Sequence, residues 1–202
     1  MNLDIITWKD HLNIIRFSAS SKTQSLSLII PVIMATNSPV IDINTLAPLD
    51  FTSERLTKFG GKTSDLGFPL GLEGIGCRYF EVKPGRRAFP FHNHLGNDEL
   101  FIVTEGRGIY RYGTKTIEIS TGSVCGAPRG GREGAHQIVN NSDQVLKYLA
   151  ISTKNDPDIC EYPDSDKILA FGIKPGKDFK SAYMKYIGLM ENQVNYFHGE
   201  EE

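Results

Sequence analysis

Tryptophan is nearly absent from this 202-residue chain, with Trp8 the only copy. Cysteine is scarce as well. Cys77, Cys125 and Cys160 are odd in number and far apart, which excludes a disulfide scaffold and fits a reducing compartment. Neither sign of charge dominates: 22 Lys and Arg face 24 Asp and Glu, for a net charge of −2. No global field therefore draws the chain to nucleic acid or to an anionic membrane. Long apolar runs are missing too. The longest, "LSLIIPVIM" at 26–34, is broken by Pro31 and falls far short of the ~20 residues that span a bilayer. It has the length of a signal-peptide core, but Asp4 and Asp10 precede it and no clean small-x-small cleavage site follows. Internal repeats, heptads and a helix-turn-helix pattern are also lacking. These absences leave a cytoplasmic globular protein with one sizeable core, whose partner is a small molecule rather than nucleic acid or membrane.

The texture of the chain changes along its length. Residues 1–35 form an N-terminal extension. "MATNSPVIDINTLAPLD" from Met34 has the look of a natural start, which would make residues 1–33 an upstream or variable addition. Residues 36–75, rich in Ser, Thr, Pro and Gly, suggest loops and short edge segments. From Cys77 onward, "CRYFEV", "ELFIVTE", "GIYRYG", "KTIEIS", "SVCGAP", "HQIVN" and "VLKYLAIS" are short runs of β-branched and aromatic residues. They are separated by turn material such as "PGRR", "GT", "TG" and "NNSDQ". This rhythm predicts an all-β sandwich or barrel over 36–152, with a hairpin turning at Gly113-Thr114. Residues 153–202 form a Pro/Asp-rich arm and tail. Within them Tyr183, Tyr186, Ile187 and Met190 fall at helical spacing and predict a short helix.

Histidine, with five copies, is unevenly placed. His92 and His94 stand two apart in "PFHNHLGNDELFIVTEG", and His136 follows in "GAHQIVNN". Residues i and i+2 of a strand share a face, so His92 and His94 project together. Glu99 can return a carboxylate to the same volume after the turn "LGND". A lone His-x-His is more often an incidental surface pair. Three imidazoles and one carboxylate, however, would make a divalent transition-metal site with room for water or substrate. Asp98 is the competing carboxylate, and strand alternation turns it to the opposite face.

Two ordered motifs carry a resemblance. The first reads His-x-His, four residues, Glu99, six residues, Gly106. The second reads Gly122, five residues, Pro128, then His136, three residues, Asn140. Together they resemble the cupin superfamily, and the likeness runs from about residue 38 to the end. It implies a double-stranded β-helix (jelly-roll) barrel and one metal per chain, held by His92, His94, Glu99 and His136. Gly106, Gly122, Pro128 and Asn140 take structural roles in that family. "RGGREGA" makes the gap from Pro128 to His136 longer than the family's usual turn. The arm and the ending "VNYFHGEE" are similar to a group of single-domain bacterial cupins with no agreed reaction.

Substrate-binding candidates are Arg129 and Arg132, as a clamp for carboxylate or phosphate, and Tyr110 and Tyr112, as cavity lining. Each has an ordinary alternative, a solvated loop for the arginines and core packing for the tyrosines. Iron, manganese, zinc, nickel or copper would suit the donor set. Isomerase, oxygenase and lyase chemistries all fit a metal with open positions, as does a non-catalytic sensor in which the metal is structural. A homodimer is expected, because the arm and tail carry Tyr162, Tyr196 and Phe197, aromatics suited to packing on a partner.

Overall fold

The computed structural model describes residues 39–52, 56–175, 177 and 179–200, together with two short strands near the start. Those strands, β1 (Ile5–Ile6) and β2 (Ile14–Ile15), pair antiparallel within a unit spanning Met1–Asn37. The run at 26–34 and the start at Met34 lie outside the described residues. The described residues of the second unit, Ser38–Glu202, form thirteen strands. In chain order they are β3 Leu49–Asp50, β4 Lys62–Asp65, β5 Ile75–Val82, β6 Asn93–His94, β7 Glu99–Glu105, β8 Arg107–Tyr112 and β9 Lys115–Ser120. Next come β10 Val124–Ala127, β11 His136–Val139, β12 Leu146–Thr153, β13 Asp158–Tyr162, β14 Lys167–Gly172 and β15 Met184–Leu189. Among the described residues of this unit, the helices are single 3₁₀ turns. Among the described residues, no helix is long and apolar enough to cross a membrane.

One sheet has the order β10-β7-β12-β5-β4-β3. The other side consists of β11-β8-β9 and β15-β14-β13-β6, joined by an antiparallel bridge between His92 and His136. Alternate residues of each strand face inward. Phe80 and Val82, Phe101 and Val103, and Leu146 and Tyr148 come from the first sheet; Tyr110, Ile119 and Ile138 come from the second, and together they form one buried cluster. Each fully buried side chain of this size is worth roughly 1.5–3 kcal/mol. The core is therefore apolar and does not depend on an ion.

Two turns explain particular residues. Gly113 supplies a φ of 54° between β8 and β9, so the expected hairpin forms where the dipeptide stands. Gly106 has a φ of 86°, and a Cβ there would meet the Val145 carbonyl oxygen at 2.6 Å; the position admits only glycine. Asn140, fully buried, donates to Val82 O and Gln144 O and accepts from Ser142. It thus closes the loop before β12.

The helix expected near Tyr183 is not there. Residues 184–189 form β15 and pair along the whole of β14. Tyr183, Tyr186 and Ile187 are each more than half exposed, so their helical spacing does not reflect a buried face. Cross-strand hydrogen bonding to "KILAFG" overrides it. The polar arm likewise becomes β13 and β14, with Cys160 and Leu169 buried.

Candidate metal centre

Glu99 opens β7 and points to the inner face, in register with Ser152 of β12. Asp98, its neighbour, is exposed and accepts the Arg129 backbone N–H at 2.8 Å. Alternation thus separates the two carboxylates as expected. Around the Glu99 Oε2 atom stand three imidazole Nε2 atoms: His136 at 2.8 Å, His94 at 3.5 Å and His92 at 3.6 Å. His92, Glu99 and His136 offer ligand atoms within 4.8 Å of one another. The His92–His136 bridge is what brings the two motifs together across some forty residues of chain.

The far nitrogen of each ring is also engaged. His92 Nδ1 lies 2.9 Å from Pro90 O, and His136 Nδ1 lies 3.3 Å from Gly134 O. His94 Nδ1 lies 2.6 Å from Asp158 Oδ2. Carbonyls and carboxylates only accept, so each Nδ1 is the donor and each Nε2 faces the common centre. Tethering of this kind fixes the tautomer and ring orientation of metal-ligating histidines.

Asp158 was not anticipated from the sequence. Its side chain is 1% exposed, and it also accepts from Gly96 N and Ile159 N. Cys160 Sγ lies 3.2 Å from His94 Nδ1, and Tyr162 stacks on His92 with centroids 6.0 Å apart. Asp158, Cys160 and Tyr162 are alternate residues of β13, whose residue Cys160 pairs with His94. The period-two pattern in "DICEY" was the available signal. Prolines and aspartates on both sides obscured it.

The electrostatics follow from this geometry. Burial disfavours charge on His94, but its hydrogen bonds to Asp158 and Cys160 and the nearby Glu99 outweigh burial and raise its pKa to about 10. Burial dominates at His92 and lowers its pKa to about 4. Burial opposes ionisation of Glu99 and Asp158 too, but the imidazoles hold both below the usual carboxylate range. Asp158 faces the Nδ1 side of His94, whereas Glu99 faces the three Nε2 atoms. A divalent cation placed among the Nε2 atoms would take that inner position and leave the Nδ1–H tethers in place, and the donor set fits one.

Of the remaining candidates, Tyr110 packs against His136 with ring centroids 6.2 Å apart. Tyr110 is buried in the core, and its hydroxyl donates to Gly126 O at 3.0 Å. Tyr112 stacks on it, and both line a separate cleft with Ile117, Val124 and Cys125. Arg132 is exposed and is paired with Glu161 and Asp166 at 3.1 and 2.9 Å. Arg129 is exposed beside it.

Residues 78–152 match the family model described as Cupin domain. The matched stretch has the cupin fold. All four converging residues lie inside the matched stretch. Among curated proteins none matches. Among solved structures, a protein of Acidithiobacillus ferrooxidans provisionally named a sugar phosphate isomerase is 21% identical. The match covers 78% of this chain and 96% of that one, with a TM-score of 0.65. A cupin of Silicibacter pomeroyi, named a sugar phosphate isomerase, is 20% identical over 76% of this chain and 94% of its own, with a TM-score of 0.61. At these identities the likeness establishes the cupin fold, not the reaction.

Proposed function

We propose that this cupin is a metal-dependent enzyme of isomerase type that acts on a small polar metabolite. The carrying observation is the convergence of three Nε2 atoms on one Glu99 oxygen while every Nδ1 is tied. His92, His94, Glu99 and His136 would hold a divalent transition metal, which would supply Lewis-acid polarisation of a carbonyl or hydroxyl oxygen. Asp158 keeps the proton on His94 Nδ1. Phe101 and Tyr110 pack against His136 and Tyr162 against His92, so these rings wall the site from bulk water and strengthen interactions inside it. The names of the two solved relatives support a phosphorylated sugar as substrate.

The test joins metal content to proton exchange. Elemental analysis of freshly purified full-length protein should find about one transition-metal ion per chain. In D₂O, a pentose phosphate incubated with that protein should gain deuterium at the carbon beside its carbonyl, and Glu99→Gln should abolish the gain. Oxygen consumption without deuterium exchange would replace the isomerase reading with an oxygenase. A metal-loaded protein that exchanges nothing and consumes nothing would favour a binding module.

A further inference from the structure

The candidate metal centre is open on one side. The His136 side chain is 2% exposed, whereas those of His92, Glu99 and His94 are 13%, 15% and 17% exposed. A ligand therefore reaches the centre from the side of His92 and His94. Tyr162 stands on that side. β13 pairs with β6 at Cys160–His94 and Glu161–Asn93, and the same register carried one step further sets Tyr162 opposite His92. Opposed residues of an antiparallel pair project to the same face. The two rings accordingly lie near parallel, 19° apart in plane, with centroids 6.0 Å apart. Tyr162 remains partly exposed.

The ring is held in place. Lys167, the partner of Tyr162 on β14, sets its ammonium 5.4 Å from the ring centroid, a cation–π contact. The residues around Tyr162 are tied down as well. Glu161 and Asp166 both pair with Arg132 of the "RGGREGA" loop, and Asp164 accepts from both terminal nitrogens of Arg111 on β8. The hydroxyl is treated differently. That of Tyr110 is spent on Gly126 O, but that of Tyr162 makes no hydrogen bond among the described residues, whose contacts with Tyr162 are to its ring. A partly exposed hydroxyl of this kind bonds to solvent, and a ligand oxygen can take the solvent's place.

We infer that the Tyr162 hydroxyl donates a hydrogen bond to an oxygen of the substrate at the open side of this centre. This rests on the enzyme reading above and adds a substrate-binding residue to it. A phenol is neutral at pH 7 and both donates and accepts. It suits a hydroxyl, carbonyl or carboxylate oxygen of a small oxygen-rich metabolite and offers nothing comparable to an alkyl group. Phenylalanine at this position keeps the stack on His92 and the contact with Lys167, and loses the donor alone.

Calorimetric titration of the metal-replete full chain with glycolate and with ribose 5-phosphate, wild type against Tyr162→Phe, tests the inference. Loss of one donor to a ligand oxygen should weaken binding of at least one probe by about three- to tenfold, with metal content and thermal midpoint as in wild type. Equal affinities for both probes in the two proteins would overturn the inference alone. A Phe variant that loses metal or melts earlier would overturn it too, because the hydroxyl would then serve the fold and not the substrate. Failure of the enzyme reading would look different, as wild-type protein that takes up no metal or binds neither probe, and it would carry this inference down with it.

Discussion

Asp158 and Gly106 show how single residues control the site and the scaffold. Asp158 accepts from His94 Nδ1, Gly96 N and Ile159 N, so it acts by orienting a ring. Loss of such an outer partner weakens metal binding about 10–100-fold. Asp158→Asn should therefore raise the dissociation constant by that factor in a chelator competition and leave a folded protein. An unchanged constant would mean that His94 is positioned by its strand alone. At Gly106 the constraint is steric and conformational. Gly106→Ala should cost at least about 1–3 kcal/mol, from the strained φ together with the contact at Val145 O. Urea denaturation would show the loss as a lower midpoint at constant slope.

At the scale of elements, the seven strand runs from "CRYFEV" to "VLKYLAIS" were legible because turns separate them and their inward residues alternate. His92, His94, Glu99 and His136 were legible for the same reason: two fall on one strand face, and the motifs fixed the others. β13–β15 were not legible. Their neighbours are Pro and Asp, the apolar residues of β15 fall at helical spacing, and their stability comes from cross-strand pairing that local pattern does not reveal. The arm is nevertheless part of the packed structure. Leu169 of β14 is buried, and Leu169→Ala should cost about 2–5 kcal/mol. A thermal midpoint shifted by a degree or less would show instead that β14 is a peripheral attachment.

At the scale of the whole molecule, one sheet of the described residues ends in an edge strand. β15 ends its sheet, and Tyr186, Ile187 and Leu189 are exposed along it, with Tyr196 and Phe197 beyond. An edge with apolar side chains and free backbone groups is a template for pairing, and the proposed occupant is a second copy of this chain. Sedimentation at micromolar concentration should give a dimer, and Ile187→Lys should shift it toward monomer. A wild-type monomer would refute the proposal.

The central claim is that one metal ion sits among His92, His94, Glu99 and His136, and metal titration of the chelator-stripped full chain tests it most directly. The account predicts one tight site per chain. It predicts that His136→Ala and Glu99→Gln each weaken that site by at least tenfold, while circular dichroism reports the same β fold because the core is apolar. Stripped protein that takes up no transition metal, or variants that bind as tightly as wild type, would contradict it.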